Sequence, residues 1–444
     1  MTESRMSGLT RGGLLTTLLD YGFLSCLVLA VILEAKTVPL LVLFGLLPAI
    51  VFWPRIGWSG LSPSLAGILG PVGLFLGYSA LAMWLHPGIG PDDPRPINPD
   101  AELYLVATAL AGMGLVRGLQ IRNIFNKLDL LLPWGLLAVF LGLSYYMFTG
   151  QRFDCRVWAE AAWPFIPALL FATLALLSLL AWPDIGRAGR LVRLLIVALS
   201  VVVVIGYTGS RGIAVGLGAA FFLIGLAGSS APLKGRLPSF LSLAPAVILG
   251  ILLCALVDHL TGCNSVGRLQ TIFAPFSMAA RADGLAPAMA AIAVAGLDIA
   301  DTLNATAAKA ADMSIGYRLQ IWAVALQAIA EAPLFGHGAL SQVLIFEPEG
   351  FVHAHNQFLT WLVTGGIVGL LVGLVFLCAP YWITRHMRPE HRVVILSATT
   401  ILWAVSMMFD SFFHMDFFLH YYCFLLPILY CLASDATRHG GGAA

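Results

Sequence analysis

Twelve stretches of this chain are apolar over the length needed to cross about 30 Å of bilayer hydrocarbon, and that recurrence constrains its fold more than any other feature. They lie near residues 19–35, 38–53, 64–84, 102–116, 130–148, 164–182, 194–208, 213–228, 240–257, 357–379, 393–409 and 416–433. Inside hydrocarbon each backbone N–H and C=O must find its partner within the chain, so each stretch is expected to be an α-helix. The fold class that follows is an all-α polytopic membrane protein with about twelve transmembrane helices. Composition excludes the alternatives: with 59% hydrophobic and 11% charged residues there is too little polar surface for a soluble protein of 444 residues. A formal net charge of +1 leaves no basic face for nucleic acid.

Basic residues set the expected orientation. With the N-terminus inside, the inner segments hold Arg5, Arg11, Arg55, Arg117, Arg122, Lys127, Arg187, Arg190, Arg193, Lys234, Arg236, Arg385, Arg388, Arg392 and Arg438, fifteen of the 24 Lys and Arg. Both termini are therefore expected in the cytoplasm. Five cysteines (26, 254, 378, 423 and 431) fall in apolar segments and read as small hydrophobes. Cys155 and Cys263 fall in polar loops on the outer side, where an oxidising compartment favours a disulfide between them.

Three regions result: helices 1–9 over residues 1–258, an outer loop over 259–356, and helices 10–12 with a short tail over 357–444. The outer loop is expected to be helical. Leu285, Met289, Ile292, Gly296, Ile299 and Leu303 recur at helical spacing, and a second helix is expected from Tyr317 to Glu331, ending before Pro333. So large an outer element, with no internal repeat, is unlike a plain transporter.

Chemistry concentrates where that loop re-enters the membrane, in "FVHAHNQF". One reading of His353, His355 and Asn356 is a polar helix start, with Asn356 as cap and the imidazoles among lipid headgroups. Another is a metal site, since H-x-H presents two nitrogens, although no third ligand stands at convincing spacing. A third is a general base that takes a proton from a sugar hydroxyl. Arg211, in "GYTGSRGIAVG", is flanked by apolar sequence; it either snorkels at a short turn or faces an anion, for which a guanidinium beside glycines is well suited. Arg318, one turn before Trp322, reads as a headgroup contact or an anion ligand. His337, between two glycines, reads as a ligand contact or a turn residue. Arg268, Arg152, Arg156 and Arg281 add positive charge on the same side. Asp410, His414 and Asp416 in "FDSFFHMDFF" read first as polar punctuation of a short turn, and second as groups that orient a base or bind acceptor hydroxyls.

These segments together resemble the O-antigen ligase and polymerase superfamily of bacterial envelope glycosyltransferases. Its signature of His, then Asn, Ser or Gln, nine residues, Gly, two residues, and Gly, Thr or Tyr is filled by His355, Asn356, Gly366 and Gly369. "PLFGHG", "YRLQIW" and "GSRG" resemble the family's Gly-x-Gly turn, Arg-to-Trp helix and Ser-Arg-Gly segment. The resemblance implies a fold like the GT-C membrane glycosyltransferases in the bacterial inner membrane, with the active site facing the periplasm. It implies transfer of a glycan from undecaprenyl pyrophosphate to a sugar hydroxyl of lipid A–core, with inversion and with no cofactor or metal required. His355 would be the base, and Arg211 and Arg318 would bind pyrophosphate. His353, His337, Asn356 and Arg268 would be further substrate contacts, and Asp410 and His414 would lie on the acceptor side. The partners implied are the lipid-linked O-antigen, the core oligosaccharide and membrane lipids.

The nearest rival is an O-antigen polymerase, with the same donor and a growing glycan as acceptor. The Arg-x15-Gly spacing of polymerases is met by Arg268 and Gly284, a match that chance readily supplies. A protein O-glycosylating ligase is disfavoured by the short sequence after the last span. A lipid-linked glycan transporter, the rival from another class, would have no need of a titrating His355.

Overall fold

The structure is a computed structural model that describes residues 11–32, 42–48, 66–85, 99–121, 123–149, 152–153, 156–157, 164–267, 313–338, 345–346, 353–414 and 416–440. It is an all-α polytopic membrane architecture. Helices α1 (Arg11–Leu29), α2 (Ala66–Leu85), α3 (Pro99–Gln120) and α4 (Ile124–Phe148) come first. A hairpin of β1 (Arg152–Phe153) and β2 (Arg156–Val157) follows, pairing Phe153 with Arg156. Helix α5 (Phe165–Leu177) continues as a 3-10 turn to Asp184, and α6 (Arg187–Val201) as a π segment to Tyr207. Next come α7 (Arg211–Ser229), α8 (Phe240–Thr261), α9 (Met313–Glu331), α10 (Gln357–Leu377) and the short α11 (Ala379–Ile383). Helices α12 (Pro389–Leu396) and α13 (Leu402–Met407) form one rod through a π segment, and α14 (Asp416–Gly440) closes the bundle.

Six helical segments among the described residues are long and apolar enough to cross a membrane: α4, α5 with its extension, α6 with its extension, α7, α8 and α10. Two shorter apolar helices, Leu14–Leu29 and Phe417–Ala433, join them. The expected span near 38–53 lies largely, and the amphipathic stretch 285–303 entirely, outside the described residues. The helix expected at Tyr317–Glu331 begins four residues earlier, at Met313, and stops before Pro333 as expected.

Burial sorts the helices into layers. Helix α5 is buried almost throughout, whereas α8 turns Leu241, Leu252 and Leu260 outward. Such apolar faces suit lipid, in which they cost nothing to expose. Between α2, α10, α13 and α14 lies an aromatic cluster in which Phe75 stacks on Phe376 at 4.4 Å, and Phe413 contacts Trp361, Trp403 and Tyr422. Its polar atoms are satisfied: Trp403 donates to Thr173 at 3.0 Å and Tyr422 to the Leu377 carbonyl at 2.9 Å.

At the opposite end of the bundle from the histidines, charges counted in the sequence as interfacial are drawn inside. Arg117, only 1% exposed, pairs with Asp20 of α1 at 2.9 Å, and Lys127 reaches the other oxygen of Asp20 at 2.6 Å. Arg193 pairs with Asp129 and donates to the Ser178 carbonyl at 2.9 Å. Removing one partner of a buried pair strands the other charge. Asp20→Asn is therefore expected to cost about 3–5 kcal/mol, read as a lower melting midpoint in detergent. Replacing Arg117 by Met in the same chain should return part of the loss.

Candidate active site

The site forms where α7, α10 and the α13–α14 turn meet. Helix α10 begins at Asn356, whose side-chain oxygen accepts from the Phe358 and Leu359 amides at 3.0 and 3.2 Å. That oxygen is thus engaged as a helix cap, the plainer of the readings that the sequence allowed. The α13–α14 turn is stitched to the same helix start. Ser411 Oγ accepts the Asn356 N–H at 3.2 Å and hydrogen-bonds Thr360 at 2.8 Å, and Gln357 Oε1 accepts the Phe413 N–H at 2.7 Å. Trp322 of α9 donates to the Ala354 carbonyl at 3.0 Å, fixing the loop from its other side.

Held in this way, His353 and His355 converge on Asp410. His353 Nε2 and His355 Nδ1 each lie 3.3 Å from Asp410 Oδ1, which also accepts the Ser411 N–H at 2.8 Å. The two rings stand 4.1 Å apart. His355 has a φ of +48°, a left-handed conformation that costs a non-glycine residue about 1–2 kcal/mol. Its ring is the more open of the two, with a side chain 38% exposed against 15% for His353.

Burial pushes the Asp410 carboxyl up, but the hydrogen bonds from His353 and His355 and the attraction of the two rings outweigh it. The group is held well below the ordinary carboxylate range. A carboxyl lowered in the folded chain adds stability above its unfolded value of about 4 and loses it as pH falls towards the folded one. Asp410 thus stays ionised from weakly acidic pH upward. An ionised carboxylate only accepts, so His355 Nδ1 carries a proton towards it, and in the neutral ring Nε2 is then the nitrogen with the lone pair. That is the tautomer a base requires.

Asp410 also lines an open cavity of about 650 Å³, and with it are Arg156, Arg211, Arg318, Ser210 and Ser406. Arg211 opens α7, where the helix dipole favours an anion. Ser210, the residue before it, makes no capping hydrogen bond, and the hydroxyls of Ser210 and Ser406 are buried without a protein partner. Gly212 lets this helix start approach the turn: a Cβ there would meet Phe409 at 2.5 Å. Arg156 arrives from β2 and Arg318 from α9. The cavity thus gathers two arginines singled out in the sequence, one counted there only as local positive charge, and one hydroxyl, Ser406, that nothing in the sequence distinguished from a core serine.

His337 belongs to a different device. Its ring Nε2 lies 2.7 Å from the Ala328 carbonyl, and it is not among the cavity's lining residues. Its backbone enters a break in α10 at Gly366, which has φ +61° and ψ −158°. Across that break the His337 and Gly338 amides donate to the Val363 and Thr364 carbonyls at 2.8 and 2.9 Å. In return the Ile367 and Val368 amides donate to the Pro333 and Leu334 carbonyls at 2.9 and 3.2 Å. Tyr78 of α2 donates to the Gly365 carbonyl at 2.8 Å. The break lies nine residues into α10, roughly 14 Å from its start, so the turn at residues 333–338 dips alongside a spanning helix rather than lying above it. Leu334 and Phe335 are exposed on this turn, apolar side chains suited to lipid.

Cys263 is disulfide-bonded, while Cys155, its expected partner, lies outside the described residues. Arg268, Arg281 and the amphipathic helix expected over 285–303 also lie outside them. His414 falls in the 3-10 turn Phe412–His414 and Asp416 opens α14, their side chains beyond what is described.

Comparison with curated proteins gives no match to the chain. Residues 194–374 match the family model described as O-antigen ligase, a segment running from α6 through α10 that carries Arg211, Arg318, His353 and His355. The similarity over residues 194–374, which carry the arginines and the oriented histidine, supports a place for this chain among the membrane glycosyltransferase-type enzymes of the O-antigen ligase/polymerase superfamily.

Proposed function

We propose that this protein is an O-antigen ligase of the bacterial inner membrane, with both termini in the cytoplasm. In this reading it transfers a glycan from undecaprenyl pyrophosphate to a sugar hydroxyl of lipid A–core at the periplasmic face. The observation that carries this reading is the position of Asp410, which lines the arginine cavity and also accepts from His355. One residue thereby joins an anion site to a base.

Arg211, Arg318 and Arg156 hold the donor diphosphate, with the α7 start and the Ser210 and Ser406 hydroxyls as further donors to its oxygens. The acceptor hydroxyl lies against His355 Nε2, which takes its proton as the oxygen attacks the anomeric carbon. The new C–O bond forms as the bond to the diphosphate oxygen breaks on the opposite face, so the configuration inverts. The diphosphate leaves as an anion stabilised by the guanidinium groups and needs little protonation. A carbohydrate hydroxyl is a weak nucleophile, so holding both substrates in line matters as much as the base. Lipid tails of donor and acceptor stay in the bilayer, along apolar helix faces.

The test is transfer by the purified full-length chain from undecaprenyl-pyrophosphate-linked glycan to rough lipopolysaccharide in the presence of EDTA. A ladder on lipopolysaccharide is expected. Arg211→Ala should lower turnover by roughly 10²–10³-fold, the loss typical of removing one charge-stabilising donor. Arg211→Lys should recover only part, because an ammonium cannot pair two oxygens at once. Lengthening of the lipid-linked glycan without a lipopolysaccharide ladder would make the protein a polymerase. Movement of the donor across vesicles, with no new glycosidic bond, would make it a transporter.

A further inference from the structure

The three groups that arrange the base also make a cation site. We propose that His353, His355 and Asp410 bind one Zn²⁺ or similar transition-metal ion, and that this ion switches the enzyme off. Each residue offers one ligand atom, and all three atoms lie within 4.8 Å of one another. The two N···O separations of 3.3 Å are long for hydrogen bonds to a carboxylate, which settle at about 2.7–2.9 Å. They match instead the edge of a tetrahedron around zinc, about 3.3–3.4 Å for metal–ligand bonds near 2.0–2.1 Å. Two imidazoles and a carboxylate are the ligand types such an ion prefers. The H-x-H spacing lacked a third ligand in sequence, and the fold brings it from 55 residues away.

The surroundings suit an ion as well. Asp410 opens onto the cavity, leaving a fourth position for water. The Ser411 N–H on Asp410 Oδ1 and the cap at Asn356 keep two of the three ligands in place from outside the coordination sphere.

Inhibition follows from the tautomer. A metal on His355 takes the Nδ1 lone pair, which requires the ring proton to sit on Nε2. Nε2–H is no longer a base, so no proton leaves the acceptor hydroxyl. His353 makes the converse exchange, its proton moving from Nε2 to Nδ1, so the two neutral rings bind the cation with no net proton release. The binding half of this proposal is independent of the ligase reading. The inhibitory half rests on His355 being the base.

The experiment uses tag-free, metal-free full-length protein in detergent. Zn²⁺ is titrated calorimetrically, Co²⁺ is titrated with its visible d–d bands as readout, and glycan transfer is followed in parallel. The expected result is one saturable site per chain, tetrahedral Co²⁺ bands, and transfer suppressed with the same midpoint and restored by EDTA. His353→Ala and Asp410→Asn, each checked for a wild-type elution profile and melting midpoint, should each weaken binding by at least roughly tenfold. No saturable binding by the wild type would overturn the proposal. So would binding unchanged in both variants, since the ion would then sit elsewhere. If one variant fails to fold, the other and the Co²⁺ bands still decide. Binding at the cluster without loss of transfer would keep the ion site but overturn the switch, and with it the role of His355 as base.

Discussion

His355→Ala is expected to lower glycan transfer by roughly 10²–10⁴-fold, the usual worth of a general base, with substrate binding and the melting midpoint little changed. The side chain is partly open and meets Asp410 and the His353 ring, so truncation leaves no large cavity. Single-turnover transfer under saturating donor is the measurement, because it separates the chemical step from release. Asp410→Asn is the sharper companion. An amide has nearly the shape of the carboxylate but can offer its NH₂ to His355 Nδ1, and this turns the ring into the tautomer whose Nε2 is protonated. The expected loss is comparable with that of His355→Ala, and the double variant should be little worse than either single one. Additive losses would mean that the two residues do not act as a unit.

Gly366→Ala is expected to be the most damaging single-methyl change in the described chain. Its backbone, at φ +61° and ψ −158°, lies in a region that is essentially open to glycine alone and costs other residues about 1–3 kcal/mol. An added Cβ would also meet the Leu334 carbonyl carbon and oxygen at 2.3 Å, backbone atoms that cannot rotate away. Gly336 presents the mirror problem, with φ +66° and a Cβ that would meet the Gly365 amide at 2.5 Å. Either substitution should force the turn out of the helix break. The expected readouts are a melting midpoint lowered by many degrees and new protease cleavage near residues 333–338. Gly218→Ala is the control, since nothing lies within 4 Å of a Cβ there. In a helix interior that change should be neutral or stabilising by about 0.5–1 kcal/mol.

Hydropathy made the spanning helices legible, because a bilayer leaves the backbone no alternative to helix over such runs. The start of α10 was legible for the same reason, together with the capping asparagine. Its break was not. Gly365 and Gly366 sit in an apolar run without interruption, and nothing in that run shows that Pro333–Gly338 lies against it. His337 was left between two readings because a Gly-His-Gly turn looks alike whether its ring meets a ligand or, as here, a carbonyl. Asp410 was left between turn punctuation and a group that orients a base or binds acceptor hydroxyls. Within its own turn it is ordinary punctuation, and its meaning comes from His353 and His355, more than fifty residues earlier. Arg117, Lys127 and Arg193 show a related limit. Their place between spanning segments does not tell a charge that faces headgroups from one that meets an aspartate inside.

The interlocked glycines separate two events in the life of the chain. As a run of 21 residues, α10 is long and apolar enough to enter a bilayer by itself as an unbroken helix. Opening it at Gly366 exposes four backbone groups to hydrocarbon, which is tolerable only once the Pro333–Gly338 backbone is there to receive them. The break is therefore expected to form together with the docking of that turn beside the helix. Until then α9 is held against α10 by side chains alone, with Ile321 and Ala325 packed in one cluster with Val363 and Trp322 bonded to the Ala354 carbonyl. A newly inserted chain with α10 unbroken would thus span the membrane but lack the backbone seam that joins it to the turn after α9.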